Sequence, residues 1–226
     1  MINFISFTTT IIIYKFFKKN HFPIISKLPC AISCAICIII FLEIFKIDFN
    51  LYNDGAKNLT FFLIPSTIAL GYTIYKNFKL LKENKRIVHS AFVLTTIFSI
   101  TITYFFAKIL TTKTSIIYSL LPKSTTAPIA IEISKNLNAI PELTTCAVVL
   151  AGAFGAIFGH KILKLIKVKN DVAIGLAIGS ASHIMGTARC IELKKETQSA
   201  ASSAALVIVG VLSAIFAPLF LHLFKL

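Results

Sequence analysis

Long apolar runs alternate with short basic patches along the whole chain. A helix that spans the membrane needs about 20 apolar residues, and somewhat shorter helices are tolerated. The pattern predicts spanning helices over six stretches: 3–17, 29–45, 59–75, 88–107, 143–166 and 202–224.

Two polar segments lie where uninterrupted membrane helix would be expected. The first polar segment is 118–135, YSLLPKSTTAPIAIEISK, and the second polar segment is 175–194, GLAIGSASHIMGTARCIELK. They bring Lys, Arg, His, Ser, Thr and Glu into an otherwise apolar chain. Because a polar or ionisable group is costly at membrane depth, it usually faces a solute path. We therefore expect the function to reside in these two segments.

Composition and charge placement indicate an integral membrane protein. Hydrophobic residues make up 56% of the 226 residues and charged residues 14%, whereas a soluble domain has about 45–50% and about 25%. The net charge of +14 lies mainly in patches between apolar runs, at 15–27, 76–86 and 161–169. Such patches are typical of cytoplasmic loops that face anionic lipid, so the bilayer, and not nucleic acid, is the expected partner.

Placing the three basic patches inside predicts a complete topology. Both termini and the stretches 46–57 and 136–142 are then outside. Each polar segment must start and finish on one side, so the first dips in from outside and the second from the cytoplasm. The predicted fold is an all-α membrane protein with about six spanning helices and two oppositely oriented re-entrant or broken segments. The helical half 1–107 is predicted to be a scaffold, and 108–226 the functional core.

A short internal repeat agrees with this layout. Ile131-Glu132 and Ile191-Glu192 each close one polar segment, and GAFGAIF from Gly152 resembles GVLSAIF from Gly210 in the following helix. By the charge count these two helices cross in opposite directions. A dipping segment plus one helix, repeated upside down, is typical of inverted-repeat secondary transporters.

Three blocks of sequence resemble signature stretches of the LrgB/CidB family of bacterial membrane proteins: LPKSTTAPIAIEIS, AGAFGAIFGHKIL and GLAIGSASHIMGTARCIEL. The resemblance covers nearly the whole chain and is strongest over 120–218. It implies a multi-pass protein of the bacterial inner membrane, paired with a small LrgA-like membrane protein, and leaves a homo-oligomer open. Family members were described as antiholin-like regulators of murein hydrolase export and autolysis. A plastid relative exchanges glycolate and glycerate, and some bacterial pairs are linked to pyruvate uptake.

Two functions follow as hypotheses. The first is a secondary transporter of small monocarboxylates of the glycolate, glycerate, pyruvate or lactate class, with proton coupling left open. The second is an antiholin-like regulator without a substrate of its own. The residues favour the transporter, because a pure regulator would not need two buried polar segments of opposite orientation.

The centre of each polar segment carries hydroxyl groups suited to a small carboxylate. The breaks are predicted at 122–128 and 179–186, and a half-helix N-terminus there offers aligned N–H groups to an anion. The candidate binding residues without a full charge are Ser124, Thr125, Thr126, Ser182, His183 and Thr187. The alternative for the hydroxyls is that they satisfy backbone groups freed by the breaks.

Lys123 and Arg189 are the candidate partners of the substrate carboxylate, Arg189 through its planar fork. The alternative is internal pairing with Glu132 and Glu192, the candidate coupling or structural acids, since Arg189 and Glu192 are three residues apart on a helix. His183 titrates in the right range to carry a coupling proton, or else it makes a structural hydrogen bond.

No sequence signature indicates an enzyme. Ser182 and His183 are adjacent and so are not presented as nucleophile and base, and neither G-x-S-x-G nor H-E-x-x-H occurs. Cys30, Cys34 and Cys37 share one helical face inside an apolar run, which favours packing over metal binding. His160 is expected to be structural, and neither a cofactor nor a metal is predicted.

Overall fold

The computed structural model describes residues 2–19, 30–62, 65, 68–69, 72, 75–76, 82 and 85–224. Among these residues every regular element is helical. Nine α-helices are described here: α1 (Ile2–Lys19), α2 (Cys30–Ile44), α3 (Phe49–Thr60), α4 (Lys85–Leu110), α5 (Thr114–Leu120), α6 (Ala127–Asn136), α7 (Pro141–Leu165), α8 (Asp171–Glu192) and α9 (Glu196–Leu223). A 3₁₀ turn, Leu121–Ser124, joins α5 to the segment before α6.

The chain forms two compact units, residues 1–68 and 69–226. In the first unit α1 packs against both α2 and α3, and Thr10 Oγ1 lies 2.6 Å from the Tyr52 hydroxyl. Helix α3 begins in the stretch 46–57, for which the sequence predicted only a position outside the membrane, and ends at Thr60. Asp48 caps it, because its carboxylate accepts the N–H groups of Asn50 and Leu51.

Three helices are long and apolar enough to cross a membrane among the described residues: Val88–Leu110, Pro141–Leu165 and Glu196–Leu223. They correspond to the predicted runs 88–107, 143–166 and 202–224. The run 29–45 contains a shorter apolar helix, Ile32–Ile44, and the run 3–17 lies within α1. Of the run 59–75 the structure describes 59–62, 65, 68–69, 72 and 75, and the rest lies outside the described residues.

The outward faces of the spanning helices are apolar. On α4, for example, Leu94, Phe98 and Phe106 are each more than 60% exposed. A water-soluble monomer rarely exposes large contiguous apolar patches, whereas lipid accepts them. Length, composition and these faces together define a membrane protein that is helical in every regular element of its described residues.

The core of the second unit is a seam between α4 and α9. At one end Val88 and Phe92 pack with Ala204, Ala205 and Val209. At the other end the rings of Tyr104 and Phe220 meet edge to face, 5.4 Å between centroids. The start of α4 packs against the start of α9 and the end of α4 against the end of α9, so the two helices run parallel. Both polar segments also pack against α9.

Candidate functional site

The first polar segment is broken at its centre. Helix α5 ends at Leu120, the 3₁₀ turn follows, and Thr125 and Thr126 are extended before α6 begins at Ala127. Pro122 and Pro128 explain the break, because proline lacks an N–H donor and so interrupts the helical hydrogen bonds at Pro122, whereas Pro128 is tolerated in the first turn of α6. The break lies where the sequence predicted it.

The two ends of this segment meet at the same end of the second unit. The Ser119 hydroxyl, on α5, accepts the Ile140 N–H at 2.8 Å. Ile117 before the break and Ile133 and Leu137 after it share one apolar cluster. The segment is therefore a hairpin of two short helices, which we call the first hairpin.

The tip of the first hairpin reaches the middle of the unit. Ser124 Oγ lies 2.8 Å from Ser99 Oγ, and Ser99 is near the midpoint of α4. The 3₁₀ turn also contacts α7, α8 and α9. The tip of the first hairpin is thus in contact with four helices: α4, α7, α8 and α9.

Thr125 and Thr126 at this tip are both fully buried, but their hydroxyls differ. Thr125 Oγ1 donates to the Pro122 carbonyl at 3.0 Å. Thr126 Oγ1 has no hydrogen-bond partner among the described residues. A buried hydroxyl without a partner costs about 1–3 kcal/mol, so this group is available to an incoming polar ligand.

The second polar segment bends at His183 inside α8. His183 has φ 40° and ψ −132°, a backbone conformation that non-glycine residues rarely adopt and that costs roughly 1–3 kcal/mol. Gly186 packs back onto Ile178 and Ser182, and a Cβ there would lie 2.6 Å from Ile178 Cγ2. The chain therefore reverses at His183.

Contacts at the two ends of α8 show the same reversal. Near the start of α8, Asp171 Oδ1 accepts the side-chain amide of Gln198 at 2.7 Å. Gln198 Oε1 lies 2.8 Å from His160 Nε2, and Cys190 Sγ near the end of α8 lies 4.0 Å from that same nitrogen. Both ends of α8 thus lie beside the Gln198–His160 pair, and we call α8 the second hairpin.

The strained backbone at His183 is held by α7. His183 Nε2 lies 3.0 Å from the Val148 carbonyl, and since a carbonyl only accepts, this nitrogen carries the proton. A Cβ at Gly152 would lie 2.5 Å from the imidazole Cε1, and one at Gly155 would overlap Ser182 Oγ. Close approach at these two glycines lets the tip of the second hairpin sit against α7.

Hydroxyl groups also hold the second tip. Thr187 Oγ1 donates to the His183 carbonyl at 3.0 Å and lies 2.7 Å from Ser202 Oγ on α9. Because a hydroxyl has one proton, Ser202 donates to Thr187. The Thr187 side chain thus satisfies the main-chain carbonyl at the bend and links the bend to α9.

The two hairpins enter from opposite ends of α7. The first is anchored beside the N-terminal end of α7, where Thr144 Oγ1 donates to Ser134 Oγ at 2.8 Å. The second is anchored at His160, near the C-terminal end of α7. Both tips lie between these ends, and the 3₁₀ turn of the first contacts α8.

The charged residues predicted for the site lie in different places. Arg189 Nη1 pairs with Glu192 Oε2 at 2.9 Å, with the side chains 35% and 47% exposed. Glu132 pairs with Lys135 at 2.6 Å, exposed at the end of α6. Lys123 is partly buried at the first tip, and none of the three ion pairs found among the described residues includes it. The tips thus gather the predicted hydroxyls, His183 and Lys123, but not Arg189, Glu132 or Glu192.

Three groups near the tips were missed by the sequence reasoning: Ser99, Ser202 and the Val148 carbonyl. A usable signal existed for Ser99, because Thr96, Ser99 and Thr103 follow helical spacing and mark one face of α4. A main-chain carbonyl carries no such signal in the sequence.

An all-helical membrane protein with two opposed helical hairpins is the class that the fold and the site define. The chain belongs to the LrgB-like family, whose model matches residues 5–223. The antiholin-like protein LrgB of Bacillus mycoides (strain KBAB4) is 36% identical over 183 residues, which cover 81% of this chain and 79% of that protein. The protein of the same name from Bacillus cereus (strain B4264) is similar to the same extent. No solved structure matches the chain.

Proposed function

We propose that this protein is a secondary transporter of small monocarboxylates of the glycolate, glycerate, pyruvate or lactate class. One observation carries the proposal: two hairpins enter the second unit from opposite ends and bring buried hydroxyls, His183 and Lys123 to their tips. Broken helices whose tips meet from opposite sides are the usual binding architecture of inverted-repeat transporters. The charge pattern indicates a multi-pass protein of the inner cell membrane.

The proposed membrane layout follows from the basic patches. The C-terminal end of α7, rich in lysine, lies in the cytoplasm with the ends of the second hairpin. The ends of the first hairpin then lie outside, and each hairpin is re-entrant. Both termini and the stretch 136–142 are outside, while Lys82 and Lys167 are cytoplasmic. Cysteine labelling in a cysteine-free background tests this, and labelling of Asn138→Cys only from the cytoplasm would overturn the layout.

The substrate carboxylate is proposed to lie at the first tip. Lys123 supplies a positive charge, and the N-terminus of α6 adds N–H groups and the positive end of a helix dipole. The Thr126 hydroxyl is placed to accept or donate a hydrogen bond at this helix start. Ser124 and Thr125 shape the tip, while Ser182, His183 and Thr187 supply the facing wall. We propose that Arg189 and Glu192 form a structural ion pair and do not bind the substrate, because the pair lies about two helical turns beyond His183.

Uptake into proteoliposomes tests the transporter. Labelled pyruvate, glycolate and lactate are offered to purified protein, with and without an LrgA-like partner. Lys123→Ala should reduce uptake at least roughly tenfold, the cost of losing one charged hydrogen-bond partner. Lys135→Ala also removes a lysine but lies in an exposed pair, and it should keep uptake within about twofold. Equal uptake by both variants would remove Lys123 from the site.

The relatives are named antiholin-like, which favours as second candidate function the antiholin-like regulator of murein hydrolase export and autolysis that the family resemblance implies. The Lys123→Ala variant also separates the two functions. A variant that is inactive in uptake but still controls autolysis as the parent does would support a regulator that acts through contacts with a partner. Loss of both properties together would link regulation to transport.

A further inference from the structure

A second polar region lies away from the hairpin tips, where α7, α8 and α9 come together. It is a cavity of about 420 Å³, whose polar walls come from His160, Gln198 and four lysines. The lysines are Lys164, Lys167, Lys169 and Lys195. Val168, Ile174 and Leu193 supply its apolar wall.

The inner wall of this cavity is fixed by a buried network. Gln198 is fully buried, donates to Asp171 at 2.7 Å and contacts His160 at 2.8 Å. Since the carboxylate only accepts, the Gln198 amide must donate to it, so Oε1 faces His160 and His160 Nε2 carries a proton. One side chain therefore joins α7, α8 and α9.

The charge of the cavity is unbalanced. None of the three ion pairs among the described residues uses any of its four lysines. The nearby Asp171 carboxylate accepts the Gln198 amide and keeps its negative charge, but the four lysines outweigh it. Four lysines line one concave surface, so their positive charges attract an anion to it, and lysine is a common phosphate ligand.

The surroundings of the cavity indicate where such an anion comes from. Leu165 is 79% exposed and Ile166 65% exposed, and both lie on the chain between two cavity lysines. A surface that combines exposed apolar side chains with a basic cavity at the ends of membrane helices suits a lipid, with chains beside the helices and head group in the cavity. The cavity volume falls within the range of about 300–1,000 Å³ that is typical of ligand pockets. A cavity of this volume is large for a two- or three-carbon acid.

We propose that this cavity binds phosphate, and that the phosphate belongs to the head group of an anionic phospholipid. The site is separate from the hairpin tips, so the proposal does not depend on transport. Because its walls come from both ends of the second hairpin and from α7 and α9, a bound head group would hold the base of that hairpin in place.

Native mass spectrometry of the purified full-length protein tests the proposal. The protein is delipidated and titrated with phosphatidylglycerol or with phosphatidylcholine of matched chains. Phosphatidylglycerol should bind, and Lys164→Gln/Lys195→Gln should weaken its binding roughly 25-fold, about fivefold for each lysine near the head group. The matched control is Lys161→Gln/Lys194→Gln, which removes two neighbouring charges that do not line the cavity and should keep binding within about twofold. Equal loss in both double variants, or equal binding of the two lipids, would overturn the site.

A soluble arm distinguishes lipid from free phosphate. Glycerol 3-phosphate is added to the delipidated protein, and thermal stabilisation is measured for the parent and for both double variants. Little stabilisation by glycerol 3-phosphate alongside tight binding of phosphatidylglycerol supports the lipid source. Strong stabilisation that Lys164→Gln/Lys195→Gln abolishes would overturn the lipid source and assign the cavity to a soluble phosphate ester. As a control for folding, both double variants must show the parent's thermal midpoint without ligand. If only Lys164→Gln/Lys195→Gln is destabilised, Lys167→Gln/Lys169→Gln takes its place as the cavity variant.

Discussion

The two hairpins reverse direction by different physical means. In the first, a 3₁₀ turn that contains Pro122 interrupts the helix, two extended residues follow, and Pro128 stands in the first turn of the next helix. In the second, the proline-free helix α8 bends at one residue, His183, whose φ of 40° is costly for a side chain with a Cβ. The first reversal is encoded locally, whereas the second is imposed by packing against α7 and α9.

The tips differ in the same way. At the first tip a buried hydroxyl, Thr126 Oγ1, has no partner among the described residues. At the second tip the imidazole of His183 and the hydroxyl of Thr187 both have partners. The first tip is therefore the better place for a ligand, and the second is better suited to support it. The following predictions test this division, beginning with the largest expected effect.

Preventing the close approach of Ser182 to Gly155 should displace the second hairpin from α7 and lower the stability of the protein. In Gly155→Ala the new methyl group overlaps Ser182 Oγ, and overpacking of this kind costs about 2 kcal/mol. The thermal midpoint in detergent should fall by roughly 4–8 °C. Gly159→Ala on the same helix is the control, because its methyl would meet Ile178 Cγ1 at an ordinary 3.7 Å. Similar midpoints for the two variants would mean that α7 does not hold the second tip.

The two neighbouring threonines of the first tip should respond oppositely to loss of the hydroxyl. Thr125→Val removes the bond to the Pro122 carbonyl and should lower stability by about 1 kcal/mol. Thr126→Val removes a hydroxyl without a partner and should leave stability unchanged or raise it, while reducing monocarboxylate uptake roughly tenfold, as expected for one lost hydrogen bond to substrate. Thermal melts and proteoliposome uptake on the same preparations check both effects. A Thr126→Val variant with parental uptake would exclude this hydroxyl from substrate binding.

His183 is expected to hold the bend and not to carry a coupling proton. Its Nε2–H is committed to the Val148 carbonyl, and His183→Gln keeps an amide donor of similar reach. Accumulation driven by an inward pH gradient should therefore persist in this variant, with stability lowered by about 1 kcal/mol. Uptake with and without the gradient provides the measurement. If the variant still exchanges substrate but no longer responds to the gradient, the proton role belongs to His183.

The Arg189–Glu192 pair should have the smallest effect. Both side chains are partly exposed, and exposed ion pairs contribute about 0–1 kcal/mol. Arg189→Ala/Glu192→Ala should keep uptake within about twofold and leave the thermal midpoint nearly unchanged. Arg189→Ala alone is the informative companion, because it leaves Glu192 unpaired. If both variants lose uptake alike, Arg189 binds the substrate as the sequence first suggested.

The apolar runs and the basic patches were sufficient to predict a helical membrane protein. Three predicted runs coincide with the three helices that meet the length and composition of a span. The prolines located the first break, because proline acts on its own backbone wherever it stands. The second polar segment was predicted to break within 179–186, and the family blocks identified the family that the match over residues 5–223 confirms.

Other features depended on contacts between residues far apart in the chain. Helix α3 was missed because its sequence is polar, and the packing of α1 against it is a tertiary contact. The sequence left two roles open for Arg189, binding the substrate carboxylate or pairing with Glu192. Spacing alone could not separate them, and the structure shows the pair. The cavity at His160 joins residues from three helices, and three of its four lysines had appeared only as parts of the basic patch 161–169.

The sequence by itself determined where the chain is apolar, where it is charged and where a proline ends a helix, because these are properties of single residues and their neighbours. Only the tertiary structure decided that α8 reverses at His183, since that backbone conformation is unfavourable unless α7 and α9 hold it. The same packing decided which hydroxyls are satisfied and which one, at Thr126, is not. Hydrogen-bond partners are set by three-dimensional proximity, and no residue carries that information alone.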